Sequence, residues 1–153
     1  MQYLITIFLI ITTFTALASD KDEMDKLASP IFQSISSGEH NKITSTALSN
    51  SSISKYIAPA DLANSDSQFA GLLNGMGKYF SHELLHEQGI KGTFWLRWYL
   101  VKYERQPALF RVEFYKSNDK WEVHTLGIDT DLDEYIKQVA AKEIGKLGLL
   151  KEN

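Results

Sequence analysis

The sequence predicts an α+β fold in which N-terminal helices pack on a bent antiparallel meander sheet of about four strands, with a helix at the C-terminus. Three observations predict this architecture. Apolar residues recur at helical spacing in the first half of the chain, polarity alternates with a period of two from His82 onward, and helical spacing returns after Thr130. The 153 residues are enough for one ordinary domain and too few for two after a leader is removed.

The first 18 residues are typical of a signal peptide. Their uncharged apolar run ends in Ala16-Leu17-Ala18, the small-x-small pattern of a signal-peptidase site. The run is shorter than the roughly 20 residues that span a bilayer. We therefore expect residues 1–18 to be removed, with no transmembrane span afterwards, and residues 19–153 to form one exported domain, periplasmic or secreted. No Lys or Arg precedes the run, so an uncleaved membrane anchor is the alternative.

The composition excludes several classes of chemistry. The chain contains no cysteine, which rules out disulfides, thiol catalysis and cysteine metal ligands. The net charge is −3, with acidic and basic residues interspersed, and such a pattern gives no footprint for nucleic acid or an anionic membrane. We expect no nucleic-acid partner, no metal and no cofactor.

Two helices are expected before the sheet. The first should end at Gly38 and should kink or restart at Pro30. Its apolar positions are Met24, Leu27, Ile31 and Ile35. The second should begin near Ala60 or Asp66 and end at about Tyr79. It should bury Phe69, Leu72, Leu73 and Met76. The Ser/Thr/Asn-rich stretch 43–54 is interpreted as loop and helix ends.

The strands follow from aromatic and β-branched residues separated by turn signals. Thr93–Arg105 is the richest such segment. A Gln106-Pro107 interruption and an Asn118-Asp119 turn divide the rest into Ala108–Lys116 and Lys120–Ile128.

The two turns predict a register and a common buried face. The first hairpin should pair Tyr99 with Phe114, and the second should pair Val112 with Thr125 and Phe114 with Val123. One face then carries Tyr99, Val101, Tyr103, Phe110, Val112, Phe114, Trp121 and Val123. A slip of one residue in either hairpin would destroy this agreement. On the reverse face, Trp98 should lie opposite Tyr115.

The C-terminal segment should return to helix. Thr130 is a suitable N-cap residue. The apolar stripe that follows is Leu132, Tyr135, Ile136, Val139 and Ile144.

The segment Trp98–Ile136, WYLVKYERQPALFRVEFYKSNDKWEVHTLGIDTDLDEYI, resembles the cystatin-like superfamily and, within it, the cone-shaped nuclear transport factor-like group. Small exported bacterial proteins of uncharacterised function in that group have a similar aromatic strand, Pro turn and Y-K-x-x-D-K-W hairpin. The resemblance covers about the C-terminal half of the chain and implies a pocket more than a particular reaction. No catalytic residue of the group can be matched here.

The residues His82-Glu83-Leu84-Leu85-His86 spell H-E-x-x-H, the pattern of zinc peptidases. The zinc site requires a helix, in which both imidazoles lie one turn apart on one face. In a strand the two histidines are about 13 Å apart and cannot share an ion. The following Glu87-Gln88 departs from the peptidase pattern, and Gly89–Gly92 is predicted to be a hairpin loop. We therefore expect a strand and disfavour the peptidase.

The same loop predicts where the candidate site residues lie. It pairs His86 with Trp95 and His82 with Tyr99, toward the helix-covered side. The candidate ligand-binding residues are His82, His86, Trp95, Arg97 and Tyr99. An inward-facing Arg97 needs a partner, either an internal carboxylate or an anionic ligand. We favour the simpler alternative, in which its guanidinium reaches the sheet edge or pairs with an acid on a helix.

These observations favour an exported non-enzymatic binding or envelope-associated module. It would hold a small apolar or anionic ligand in its pocket, or form a homodimer through the exposed sheet face. The alternative is a small-molecule enzyme that uses His82 or His86 as acid or base near Arg97.

Overall fold

The computed structural model describes residues 20–130 together with Leu132, Lys137 and Ala141. Three helices precede four strands, which confirms the predicted α+β class. The helices are α1 (20–36), α2 (Ile43–Leu48) and α3 (Pro59–Gly75). The strands are β1 (Tyr79–Ile90), β2 (Phe94–Tyr103), β3 (Ala108–Ser117) and β4 (Lys120–Asp129). Short 3₁₀ turns lie at His40–Lys42 and Ser52–Tyr56.

Two predicted segments lie outside the described residues. The signal peptide at 1–18 is one of them. The C-terminal helix is the other, apart from three residues that are helical. Of these, Leu132 is buried, whereas Lys137 and Ala141 are exposed. Over the part of the chain that the structure describes, none of the helices has the length and apolar character needed to cross a membrane.

The first helix buries the predicted apolar stripe. Met24, Ile31 and Ile35 are fully buried, and Leu27 packs against the core from its margin. The helix continues through Pro30 to residue 36. Gly38 then adopts a φ of 76°, a left-handed conformation that glycine adopts without steric penalty, and the helix ends just before it, close to the predicted stop.

The third helix begins at Pro59, at the early end of the predicted range. Phe69, Leu73 and Met76 are buried as expected. The expectation for Leu72 is wrong, because this side chain is 45% exposed. Leu73 is fully buried in the core, and a neighbouring residue on a helix lies about 100° away around the axis.

The short helix α2 lies in the stretch 43–54, which was interpreted as loop and helix ends. Its first backbone N–H groups are satisfied by Asp66 of α3, a buried carboxylate. Asp66 Oδ1 accepts hydrogen bonds from the backbone nitrogens of Thr44 at 2.6 Å and Ser45 at 3.2 Å. Because this partner lies more than twenty residues away in sequence, no local pattern indicates it.

The sheet is an antiparallel meander in the order β1-β2-β3-β4. All eight residues predicted for its buried face are buried: Tyr99, Val101, Tyr103, Phe110, Val112, Phe114, Trp121 and Val123. Helices α1 and α3 contribute the other side of this core.

The predicted strand registers are partly wrong. Tyr99 pairs with Phe110 and not with Phe114, because the β2–β3 connection is longer than the two residues expected. This slip is an even number of residues, so every side chain keeps its face. In β3–β4, the Phe114–Val123 pair is confirmed, but a bulge after Glu113 pairs Val112 with Leu126 in place of Thr125.

Candidate ligand-binding site

The H-E-x-x-H sequence lies in strand β1, as predicted. A register shift between Leu84 and His86 inserts one residue into the strand. His82 therefore faces α1, where its ring stacks on Phe32. His86 pairs with Trp98 and lines a different cavity with Leu85 and Leu109. The two histidines lie on opposite faces of an extended strand, and this geometry cannot bring both to one zinc ion.

The predicted inward position of His86 is therefore wrong. The β1–β2 turn occupies Lys91 to Thr93, so Ile90 pairs with Phe94, three positions out of the expected register. An odd slip exchanges the two faces of a strand. Glu87, the residue after His86, takes the inward position and lies opposite Arg97. Among the described residues, no group of three or more His, Asp or Glu side chains is placed to hold a metal ion.

Arg97 faces the helices, as predicted, and is only 2% exposed. Its Nη1 lies 2.5 Å from Oδ1 of Asp25 on α1, and its Nε lies 3.2 Å from Oε2 of Glu87. Nη1 also donates to Tyr99 Oη at 3.4 Å, and Nη2 donates to the backbone carbonyl of Lys21 at 3.3 Å. The partner that a buried guanidinium requires is therefore supplied by the protein.

Trp95 lies beside this ion-pair cluster on the covered side of the sheet and is buried. Lys21 pairs with Glu87 and places its Nζ 5.8 Å from the centre of a Trp95 ring. Gly89 lies opposite Trp95 in the register, and a Cβ atom at Gly89 would approach the indole to 2.6 Å. The indole thus packs on strand backbone and on the Lys21 side chain.

A cavity of about 330 Å³ lies between α1 and the first two strands. From the sheet it is lined by Tyr79, His82 and Tyr99. From the helix it is lined by Asp25, Ala28, Ser29, Phe32, Gln33 and Ser36. Of the five predicted site residues, His82 and Tyr99 line this cavity. Arg97 and Trp95 belong to the neighbouring ion-pair cluster, and His86 lies on the other face of the sheet.

The aromatic rings that line the cavity pack against one another. Phe32 and His82 are parallel, with centroids 3.9 Å apart, and Tyr99 packs against Phe32 with centroids 4.7 Å apart at 59°. His82 Nδ1 lies 2.7 Å from Tyr79 Oη in a hydrogen bond. These contacts preorganise an aromatic wall with two hydroxyl groups and an imidazole.

Burial changes the acid–base properties of this wall. It lowers the pKa of the His82 imidazole below its ordinary value, so this ring is neutral near pH 7. It raises the pKa of the Tyr79 hydroxyl. Burial also raises the pKa of Tyr99 and outweighs the opposing hydrogen bond from Arg97. The cavity therefore presents uncharged rings and hydroxyls, with Asp25 as the acidic group among the described lining residues.

The helix residues of the cavity were not predicted as site residues. Asp25, Ser29, Phe32 and Ser36 follow helical spacing, which places them on one side of α1. That spacing was available as a signal. The polar residues on this side of α1 do not by themselves indicate a site, because the strand that packs opposite them is set by the tertiary structure.

The outer sheet face differs from the expected one. Trp98 lies opposite Arg111, whose Cζ is 5.7 Å from a Trp98 ring centre. Tyr115 lies opposite Phe94, with ring centroids 5.4 Å apart. The expected Trp98–Tyr115 pair is wrong, and the homodimer through this face stays a prediction without that pair to support it.

Comparisons with known proteins found structures with a similar fold and no similar sequence. No protein-family profile matches the chain. No curated protein sequence matches it either. A solved structure from Campylobacter jejuni, with the provisional description of an NTF2-like transpeptidase, is similar with a TM-score of 0.47 and 17% identity. The match covers 65% of this chain and 94% of that one.

A second similar structure is a phospholipid-binding protein from Ralstonia solanacearum, solved in complex with a phospholipid. Its TM-score is 0.45 with 13% identity, and the match covers 83% of this chain and 88% of that one. Neither likeness is close enough to assign this chain to a family or an activity.

Proposed function

We propose that this protein is a binding module whose site is the cavity between α1 and the β1–β2 hairpin. The observation that carries the proposal is the preorganised wall of Phe32, Tyr79, His82 and Tyr99 around about 330 Å³ of space. Small-molecule sites are concave and lined mainly by apolar and aromatic side chains, with a few polar groups that fix orientation. Here those polar groups are two phenol hydroxyls, one imidazole and one carboxylate.

The ion-pair cluster beside the cavity stabilises the arrangement of the elements that form the cavity. Asp25, Glu87 and Arg97 join α1, β1 and β2, the three elements that form the cavity. Because Arg97 is neutralised by these two carboxylates, no anionic ligand is needed to compensate it. This argues against the anionic ligand that the sequence allowed.

Native mass spectrometry of the purified protein tests the proposal. A small molecule should co-purify, and Ser29→Trp should expel it because an indole at this lining position fills the cavity. Lys26→Trp is the matched control, an exposed position of the same helix outside the lining. Retention of the same molecule by both variants would place the site elsewhere. Absence of any ligand, together with no binding of small aromatic probes, would refute the proposal.

We also propose that residues 19–153 are an exported domain of the cone-shaped NTF2-like group, associated with the cell envelope or secreted. The proposal is supported by the small-x-small sequence at Ala16-Leu17-Ala18 and by the resemblance of Trp98–Ile136 to that group. Cell fractionation with intact-mass measurement tests it. A mature N-terminus at Ser19 in the exported fraction is expected. A full-length chain in the cytoplasm would contradict the proposal.

A second candidate function is proton transfer to or from the bound molecule by His82. The observation that favours it is the 2.7 Å contact between His82 Nδ1 and Tyr79 Oη, which orients a neutral imidazole at the cavity. Deuterium uptake by a co-purified ligand in heavy water, lost in His82→Gln with the ligand still bound, would support catalysis. Equal uptake by both proteins would exclude His82 as the base.

A further inference from the structure

We infer that the ligand of this cavity is a small organic cation of the ammonium class. The inference rests on the proposed function and names the ligand chemistry of the same site. It is carried by one juxtaposition: Asp25 meets an aromatic wall in a cavity whose described lining includes no lysine or arginine.

Arg97, a buried cation beside the cavity, cannot serve an anionic ligand. Its side chain is 2% exposed and does not belong to the described lining. Its Nε is bonded to Glu87, and its Nη1 is bonded to Asp25 and Tyr99. Its Nη2 donates to a backbone carbonyl. An anion would have to displace two carboxylates from a buried guanidinium, and removing a partner from such a pair is strongly unfavourable.

Asp25 is the charged group that the ligand meets. It binds Arg97 through Oδ1, yet its side chain remains 67% exposed and lines the cavity. Lys21, the remaining cation of the cluster, pairs with Glu87 and lies over Trp95. Neither Lys21 nor Trp95 belongs to the described lining of the cavity. The positive charges of the cluster are therefore behind or beside the cavity, whereas a carboxylate is at its surface.

The aromatic rings of the cavity, like Asp25, attract a cation. The faces of phenylalanine and tyrosine rings are electron-rich and attract an ammonium group within about 6 Å of the ring centre. Phe32, Tyr79 and Tyr99 all line the cavity, and the neutral His82 ring places no charge against a cation. The volume of about 330 Å³ lies at the low end of the range for ligand sites, which suits a small ligand.

Three probes of nearly equal shape and different charge test the inference. They are choline, its uncharged isostere dimethylbutanol, in which carbon replaces the quaternary nitrogen, and dimethylbutanoate, the corresponding carboxylate. Binding to the purified protein is measured by NMR titration that follows the His82 imidazole and the Tyr79 ring. We expect choline to bind at least tenfold more tightly than dimethylbutanol, a difference of about 1.4 kcal/mol, and the carboxylate to bind more weakly than either.

Matched variants locate the preference. Asp25→Asn should weaken choline binding about fivefold or more and leave dimethylbutanol binding nearly unchanged, since the substitution removes the charge and keeps a side chain of the same shape. Asp22→Asn, an exposed acid one helical turn earlier on α1 and outside the lining, is the control and should change neither. Tyr79→Leu should weaken choline more than dimethylbutanol. Its control is Phe80→Leu, a neighbouring exposed ring outside the lining.

The outcomes separate this inference from the proposed function. Dimethylbutanol or dimethylbutanoate binding as tightly as choline would overturn the charge assignment, while the cavity would stand as a binding site. Failure of all three probes and of every aromatic probe would refute the proposed function itself. Vesicles of phosphatidylcholine and of phosphatidylglycerol distinguish a lipid headgroup from a free ammonium compound. Selective binding to the former, displaced by choline, indicates the headgroup, and choline binding without vesicle binding indicates the free compound.

Discussion

Arg97 of β2 and Asp25 of α1 form an ion pair across 72 residues of sequence, with 2.5 Å between Nη1 and Oδ1. Glu87 of β1 forms a second ion pair with the same guanidinium, through its Nε. One guanidinium therefore ties together the three elements that enclose the candidate cavity. This arrangement makes the cluster a support for the site and gives the first prediction.

Replacing Arg97 should destabilise the protein more than removing either carboxylate. Arg97→Met leaves Glu87 in a partly buried position without its guanidinium, and breaking a buried pair typically costs about 3–5 kcal/mol. Asp25→Asn should cost less, because the Asp25 side chain is largely exposed. Urea unfolding measures both. The double variant Arg97→Met with Glu87→Gln should recover part of the loss, and no recovery would mean that packing, not charge, dominates.

The Glu87 carboxylate should make stability depend on pH in the acid range. Burial alone would raise its pKa, but the hydrogen bond from Lys21 and the charge of Arg97 outweigh burial and hold the pKa below the ordinary value of 4.5. A carboxyl whose folded pKa is depressed stabilises the fold above its unfolded pKa, and this stabilisation is lost as the pH falls through the folded pKa. Chemical unfolding at pH 7 and at several values below 4.5 should show the loss. Glu87→Gln should flatten this part of the curve.

The His82 imidazole should titrate below its ordinary value of 6.5, because burial against Phe32 disfavours the charged ring. Stability from the neutral ring is present above pH 6.5 and is lost as the pH falls through the lowered folded pKa. NMR titration of the imidazole measures this pKa. Phe32→Leu should raise it toward 6.5 by admitting water, and an unchanged value would mean that Phe32 does not shield the ring.

The Asp66 carboxylate should be required for helix α2. Asp66→Ala removes the acceptor for the backbone nitrogens of Thr44 and Ser45, and leaving buried donors unsatisfied costs about 1–3 kcal/mol. Thermal or urea unfolding measures the loss, and hydrogen exchange should quicken at these two amides. Asn64→Ala, an exposed position on α3, is the control and should change stability by no more than about 0.5 kcal/mol.

Substituting alanine for two different glycines should change the stability of the protein in opposite directions. A Cβ atom at Gly89 would lie 2.6 Å from the Trp95 ring, so Gly89→Ala should displace the indole and cost about 1–3 kcal/mol by overpacking. Gly71 lies inside α3 with open space within 4 Å of the point that an added methyl group would occupy, so Gly71→Ala should stabilise by about 0.4–1 kcal/mol. Unfolding measurements and tryptophan fluorescence test both. Similar effects at the two positions would contradict the predicted Trp95 contact.

The buried face of the sheet could be predicted from sequence because its cause is local. Alternation with a period of two assigns Tyr99, Val112 and Trp121 to one side whichever residues lie opposite them. The β2–β3 hairpin shows this well: its pairs were wrong, yet its faces were right, since the error was an even number of residues. The inward position of Arg97, two residues before Tyr99, follows from the same alternation.

The candidate site depended on features that only the tertiary structure decides. A turn at Lys91–Thr93 turned His86 away from its expected face and placed Glu87 inward, and a bulge before His86 kept His82 on its expected face, although all three residues lie in a correctly predicted strand. The partners Asp25 and Asp66 act over distances of 72 and 21 residues in sequence, where local periodicity carries no information. Sequence alone therefore determined which side chains are apolar and how they alternate. The packing of α1 against β1 and β2 decided which polar groups neutralise one another and which one faces the cavity, because charge pairing depends on distances in space.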